Sequence, residues 1–363
     1  MYESVEIFKQ EGYETNIQYD GIVETVITRA CNGTSLRKLN TRYKQMVSTS
    51  TESKIKIDDM YSVLKTIEAD GCYVEKKELS FTNDTIFPAD LQTLYKSVKA
   101  IMQGLNLKIQ LSHAKYAVEI STLQNNLFKK HEHALLIIND ITNKNGSNYL
   151  VDVNFNKSYE DIMVDVCNVA SLLNNAKKID KPLPTGKYPV IFAKGTGGVL
   201  FHEVIGHQFE ISKPYSMYSP LTLGMNNELC AESVTITDAD FCLTNLECLD
   251  DEGTVKNDIN LIEKGRISSL LTDKFHAEKQ GNYGLTGNGR RASYLNYPES
   301  RMYRTYVRNG KNTLTEALNC IEYGLYIEGI SNAHCNHRTG EIFLHINHAK
   351  IINKGLRKNP FFK

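Results

Sequence analysis

The sequence predicts an α+β fold in two parts. Residues 1–182 form an N-terminal α+β domain of antiparallel strands and helices, and residues 183–363 form a mainly antiparallel β domain that carries one helix with the candidate active site. Three observations support this division. Strand-like segments flank amphipathic helices in the first part, turn-rich strand segments dominate the second, and KKIDKPLPTGKYP between them holds three of the eight prolines.

Composition limits the classes of function. The 363 residues include 41% hydrophobic and 23% charged residues, which is typical of a globular protein. Lys plus Arg and Asp plus Glu number 42 each, so no net positive charge favours nucleic acid or an acidic membrane. The eight cysteines include no C-x-x-C pair, and no apolar run approaches a membrane span or signal peptide. We therefore expect a cytoplasmic protein with reduced thiols and neither a nucleic-acid nor a membrane partner.

The first part reads as strands, helices and strands again. A turn at Asp20-Gly21 separates two segments with the alternation of strands, VEIFKQEGYETNIQY and IVETVITR. Helical spacing predicts helices over Ile57–Ile67 and, after Pro88, over Leu91–Leu105. Strands return between His131 and Phe155, and Ser158 with Asp161 predicts the capped start of a further helix.

In the second part, YPVIFA predicts a short strand and GTGG a turn. VLFHEVIGH is the one strong helix candidate there. The remaining segments predict strands and loops, among them INLIEKGRISSLL with a Lys-Gly turn, CIEYGLYIEG and GEIFLHINHAKIINKG.

The stretch FHEVIGHQFE places two histidines five residues apart, at His202 and His207, with Glu203 after the first. In the zinc protease motif H-E-x-x-H the spacing is four, which brings both imidazoles to one helix face. Five residues of ideal helix rotate by about 140°, so a regular helix would separate the rings. Gly206 lies between the two histidines, where the helix can end or widen into a π turn. Either change would bring His207 back toward His202.

The residue types in this stretch suit metal-assisted hydrolysis. His202 and His207 are candidate metal ligands, and Glu203 beside them is a candidate general base for a metal-bound water. The apolar VLF and the glycines before it predict that Glu203 lies in a partly enclosed cleft. GNGRR, residues 287–291, could present backbone amides and two guanidiniums to a peptide. An unrelated pair of histidines on a half-buried helix is the competing interpretation.

The segment YPVIFAKGTGGVLFHEVIGHQFE resembles the active-site segment of the TldD/PmbA metallopeptidases, whose hallmark is H-E-x-x-x-H after a glycine-containing turn. Further similar segments follow in the same order: DDEGT, LIEKGRI, LTGNGRRASY, EYGLYIEG and TGEIFLHINHAKIINKG. The resemblance implies a zinc-dependent peptidase for short or unfolded peptides, with Zn²⁺ on His202 and His207 and Glu203 as catalytic residue. It also implies a homodimer or a heterodimer with a TldD/PmbA-like subunit.

The third metal ligand is open. TldD-like members of the family take it from a cysteine that has no match here, since the sequence ends at Lys363 soon after the last similar strand. Two protein ligands are fewer than a catalytic zinc site usually has. Cys335 or His334 in the cluster NAHCNHR could replace it; Cys335 is the candidate we name, because His334 and His337 could lower its thiol pKa.

Two rival functions remain. The chain could be a non-catalytic TldD/PmbA-like partner or regulatory subunit that lacks a complete metal site. It could also be a modulator of a topoisomerase, as older naming within the family suggests, although the neutral charge balance does not favour a nucleic-acid function.

Overall fold

The computed structural model describes residues 3–20, 22–40, 45–51, 91–122, 126–141, 147–153, 157–175, 183–213, 219–239, 249–281, 283–336, 339 and 341–358. The helix predicted over Ile57–Ile67 and the predicted boundary at residue 182 lie outside these ranges. No helix within them has both the length and the apolar character needed to cross a membrane.

A seven-stranded antiparallel sheet forms the first half. Its strand order is β4-β3-β1-β5-β6-β7, with β2 paired to β1. The elements are β1 (Glu3–Tyr19), β2 (Glu24–Ala30), β3 (Gly33–Asn40), β4 (Gln45–Thr51), α1 (Leu91–Ile101), β5 (Leu107–Thr122), β6 (Asn126–Asp140), β7 (Ser147–Asp152) and α2 (Tyr159–Asn175).

Both helices lie on this sheet because each has one apolar face. Leu94 and Val98 of α1 are buried with Ile162 and Val166 of α2 in a core that includes strand residues of β5 to β7. Ser158 caps α2 as predicted, since its hydroxyl accepts the Asp161 backbone N–H. Helices are confirmed in both predicted segments, although α1 ends at Ile101 rather than at the predicted Leu105.

Three small sheets and short helices form the second half. Its elements are β8 (Val190–Phe192), α3 (Gly198–Phe201), a π turn (His202–Gly206), a 3-10 turn (His207–Phe209), α4 (Pro220–Leu223), β9 (Ile236–Ala239), β10 (Ile259–Glu263), β11 (Arg266–Ile267), α5 (Lys274–Gln280), β12 (Gly289–Arg290), β13 (Glu299–Ser300), β14 (Arg304–Val307), α6 (Leu314–Asn319), β15 (Tyr323–Asn336), β16 (Glu341–Asn353) and β17 (Leu356–Lys358). The sheets run β11-β10-β9-β14, β12-β13 and β17-β16-β15-β8.

Nearly all of these pairings are antiparallel, and β8 is parallel to β15. The predicted Lys-Gly turn joins β10 to β11, with Lys264 and Gly265 both at positive φ. The α+β class predicted from the sequence is therefore confirmed. The domain boundary stays a prediction.

A buried ion network connects the two halves. Arg37 on β3 donates to Glu6 on β1 at 2.7 Å and to Glu252 of the second half at 2.6 Å. Arg291 donates to the other oxygen of Glu6 at 2.8 Å. Burial alone would raise the pKa of the Glu6 carboxyl, but Arg37 and Arg291 lower it below its ordinary value, so Glu6 is charged.

Apolar and aromatic contacts reinforce this junction. Tyr294 of the second half is buried with Phe8, Val118 and Ile120 of the first sheet. Its ring lies so close to Gly33 that an added Cβ would stand 2.2 Å from it. Elsewhere in the junction, the Tyr149 hydroxyl contacts the His348 ring.

We expect Arg37→Met to lower the free energy of unfolding by about 3–5 kcal/mol, because it leaves two buried carboxylates without their cation. Urea denaturation measures the change. Arg266→Met is the matched control, since Arg266 pairs with Glu228 in solvent and should lose less than about 1 kcal/mol. Equal effects of the two substitutions would contradict a structural role for the buried network.

Candidate metal and catalytic site

The two histidines of the unusual spacing meet because the helix widens between them. α3 continues into the π turn, in which the His207 backbone N–H donates to the carbonyl oxygen of His202, an i→i+5 bond. The two imidazole centroids lie 4.6 Å apart at an interplanar angle of 79°. The π-type widening predicted at Gly206 is therefore confirmed.

His202, Glu203 and His207 form one group of potential metal ligands. Each offers a donor atom, and these atoms all lie within 4.8 Å of one another. His202 is exposed, whereas Glu203 and His207 are half-buried. Partial desolvation, with a contribution from His207, lowers the pKa of His202, which favours the neutral imidazole that a metal requires.

Gly206 is closely packed against a neighbouring side chain. Its φ of −53° and ψ of −60° are helical values that other residues also adopt. An added Cβ, however, would lie 1.6 Å from the Met302 sulfur. Met302 is buried in the same core as Ile205 and Phe209. The turn between the histidines therefore rests directly against the Met302 side chain.

Glu210 holds the second histidine in place. Its carboxylate is fully buried and lies 3.3 Å from Nδ1 of His207. Arg301 at 2.9 Å and Lys213 at 3.1 Å contact its other oxygen. Burial would raise the pKa of Glu210, but the His207 hydrogen bond and charge and the two cations lower it.

A carboxylate that binds the outer nitrogen of a histidine fixes the orientation of the ring at a metal site. The backbone places Glu210 for this role, since the chain becomes extended there and bridges to Leu271. The sequence alone did not point to a role for Glu210. Its only signal is an acid three residues after His207, a spacing that is also common on ordinary helix surfaces.

Cys335 lies beside this group on β15, but outside the set of donor atoms within 4.8 Å of one another. It is buried, and the Gln208 side-chain amide donates to its sulfur at 3.7 Å. Burial and then the charge of Glu203 raise the thiol pKa. The expected lowering of that pKa by neighbouring histidines is therefore wrong, because burial and the Glu203 charge shift it upward. Ligation by Cys335 stays a prediction.

The alternative donor His334 lines a separate shallow hollow of about 380 Å³ together with Phe343 and His345. His345 is exposed and His348 is buried, in agreement with the expectation that they occupy opposite faces.

The histidines open into a cleft of about 750 Å³, a size common for ligand sites. Arg290, Arg291 and Arg301 line it together with Tyr297 and Met302. The expectation that GNGRR reaches the cleft is confirmed, since Arg290 and Arg291 line it. The Arg291 guanidinium, however, is buried against Glu6 in the junction and is not presented to a peptide.

The acidic loop DDEGT, residues 250–254, holds GNGRR from behind. Asp250 accepts the Gly289 backbone N–H and Asp251 accepts that of Arg291, at 2.9 and 2.8 Å. Burial, followed by the charge of Glu252, raises the pKa of Asp250 to about 7, although backbone N–H groups act in the opposite direction. The acidic loop thus supports, from behind, the segment that lines the cleft.

The sequence and the fold of the chain are similar to those of known proteins. Residues 185–362 match the model of the PmbA/TldA metallopeptidase C-terminal domain. This part of the chain belongs to the TldD/PmbA family. A metalloprotease TldD homolog of Buchnera aphidicola subsp. Schizaphis graminum is 33% identical over 180 residues, which cover 49% of this chain and 37% of the relative. A zinc metalloprotease TldD homolog of Saccharolobus solfataricus is 31% identical over 170 residues, covering 46% and 38%.

Solved structures share the fold over almost the whole chain. TldE from Thermococcus kodakarensis aligns with a TM-score of 0.74 at 18% identity and covers 98% of this chain and 86% of that one. A protein from Thermotoga maritima described as a modulator of a DNA gyrase aligns with a TM-score of 0.71 at 16% identity, with the same coverage. The chain spans about two fifths of the length of the first curated relatives, 37% in the Buchnera case.

We expect Gly206→Ala to destabilise the protein by about 1–3 kcal/mol through overpacking against Met302. Gly198→Ala is the control, because a Cβ at Gly198 in α3 would meet nothing within 4 Å. In a Met302→Ala background the Gly206 substitution should cost less, with a coupling of about 1 kcal/mol or more by urea denaturation. The packing argument fails if Gly206→Ala is as mild as Gly198→Ala.

Proposed function

We propose that the chain is a zinc-dependent peptidase of the TldD/PmbA family that hydrolyses short or unfolded peptides. The convergence of His202, Glu203 and His207 in one π turn carries the proposal, because it converts an apparently mismatched spacing into a compact group of donor atoms. The curated relatives named metalloproteases support the same class of reaction.

The residues present fit zinc. Zinc accepts imidazole nitrogens readily, and catalytic sites combine such ligands with an open position. When Nδ1 of His207 donates to Glu210, its Nε2 keeps the lone pair that a metal needs. His202 and His207 would hold the ion, while Glu210 orients the second ring.

A bound zinc ion would polarise the scissile carbonyl and acidify a water molecule. Glu203 would accept a proton from that water and later deliver it to the leaving amine. Its carboxylate is half-buried in the same group as the two imidazoles, which places it within reach of both tasks.

The cleft suits an extended peptide. β14 is an edge strand of its sheet in the described part of the second half, and Thr305 on it lines the cleft with Met302 and Tyr303. An extended substrate could add alongside this edge by backbone hydrogen bonding, and a cleft of about 750 Å³ would exclude a folded domain.

We further propose that the chain forms a cytoplasmic dimer, either with a second copy of itself or with a TldD/PmbA-like subunit, consistent with the fold shared with TldE.

We expect Glu203→Gln to reduce the turnover of a fluorogenic peptide by about two or more orders of magnitude, as loss of a general base does. The zinc content, measured by atomic absorption, should remain equal to that of the unmutated chain. Loss of zinc would show that Glu203 is a ligand, and retained turnover would remove it from the mechanism. His202→Ala provides the contrasting control, because it should lower both zinc content and turnover.

The third ligand has a separate test. We propose Cys335, on the basis of its burial beside Gln208 and its electrostatic contact with Glu203. Cobalt substitution should then give a thiolate-to-cobalt charge-transfer band, and Cys335→Ala should remove that band and weaken zinc binding at least about tenfold. The exposed Cys167 supplies the matched Cys→Ala control. An unchanged spectrum in Cys335→Ala would mean that Cys335 is not a ligand and that water or a partner subunit completes the site. The non-catalytic alternative, a subunit without a complete metal site, also predicts no effect of this substitution.

A further inference from the structure

Three arginines line the cleft, and the guanidiniums of two of them already have carboxylate partners. Arg291 donates to Glu6 at 2.8 Å, so its charge is used in the junction between the halves. Arg301 donates to Glu210 at 2.9 Å and to Glu299 at 2.7 Å. The positive charges of these two arginines are therefore already paired with carboxylates of the protein.

Arg290 differs from both. Within the described ranges its guanidinium has no carboxylate partner, and its one hydrogen bond goes to the Met302 carbonyl oxygen at 2.9 Å. It also lies over the Tyr303 ring, with 5.0 Å between the guanidinium carbon and the ring centroid. An arginine has five N–H donors, so most of those on Arg290 have no protein acceptor in the described structure.

These contacts fix the position of the Arg290 guanidinium in the cleft. The hydrogen bond to Met302 attaches the guanidinium to the residue whose side chain packs against Gly206 in the π turn. The Gly289 and Arg291 backbones on either side are held by the acidic loop. Arg290 is thus a pre-positioned cation in the same cleft as His202 and His207.

A fixed guanidinium with free donors binds a carboxylate in bidentate geometry better than it binds any neutral peptide group. We propose that Arg290 is a specificity residue that binds a carboxylate of the peptide substrate, and that the chain therefore prefers peptides with a free carboxylate near the scissile bond. This carboxylate is either the C-terminus or the side chain of Asp or Glu. The inference rests on the proposed peptidase function for the identity of the ligand.

Direct binding tests the proposal without requiring turnover. Fluorescein-labelled peptides of one sequence are prepared with a free C-terminal carboxylate, with a C-terminal amide, and as the amide with one Gln replaced by Glu. Their dissociation constants for the full-length Glu203→Gln protein are measured by fluorescence anisotropy. We expect the peptide bearing the recognised carboxylate to bind about 10- to 100-fold more tightly than the plain amide. The peptide that gains affinity identifies the source of the carboxylate.

Arg290→Met in the same background should abolish this difference while the amide peptide binds as before, which also shows that the cleft is intact. Arg290→Lys should keep part of the preference, because it retains the charge without the bidentate fork. The control is Arg266→Met, since Arg266 is exposed outside the cleft and pairs with Glu228. A preference that survives Arg290→Met, or equal binding of all three peptides, would overturn the proposal.

Hydrolysis by the unmutated chain separates this inference from the proposed function. Cleavage without any preference for a carboxylate would refute the role of Arg290 and leave the peptidase proposal standing. Carboxylate-dependent binding that disappears in Arg290→Met, together with no cleavage of any peptide, would support Arg290 and refute the peptidase proposal. Where cleavage occurs, Arg290→Met should raise KM with little change in kcat, as loss of a binding contact does.

Discussion

The buried guanidinium of Arg37 is the contact on which the arrangement of the cleft depends. It joins Glu6 of the first sheet to Glu252 of the acidic loop, and Arg291 binds the same Glu6. Such a group adds little stability compared with apolar packing, but each member is costly to leave unpaired. The network therefore contributes more to the specific arrangement of the two halves than to the free energy of their association.

The position of the cleft wall follows from this junction. Glu252 belongs to the loop whose aspartates hold the backbone of Gly289 and Arg291, so the first sheet indirectly positions Arg290. The family model covers only residues 185–362, whereas the solved relatives share the fold over 98% of the chain. The ion network gives a physical reason for the N-terminal half to keep its fold, because one side of the cleft is anchored to it.

The sequence predicted those features that arise from local interactions. The apolar faces of α1 and α2, the Ser158 cap and the Lys264-Gly265 turn each depend on residues within a few positions of one another, and all are present. The approach of His202 and His207 was predictable for the same reason. Its cause lies in a five-residue segment, and a widened turn is one of the few backbone changes that can correct the spacing.

Long-range contacts left no comparable signal. Arg37 and Glu252 are 215 positions apart and Arg291 and Glu6 are 285 apart, so no periodicity reveals either pair. The close packing at Gly206 comes from Met302, which is almost a hundred positions away. The thiol pKa of Cys335 could not be predicted from its neighbours in sequence either, because burial and Glu203 across the site outweigh them.

Glu203 and Glu210 show how one residue type meets two environments within a single short segment. Glu203 is half-buried and, in the described structure, forms no ion pair, which is the environment that the proposed general base needs. Glu210 is fully buried, contacts two cations and His207, and is held ionised by them. A carboxylate so restrained is suited to fixing an imidazole and poorly suited to carrying a proton. Arg301 and Lys213 distinguish the two environments. Through Arg301, the contact between Glu210 and His207 is also connected to the cleft lined by Arg290.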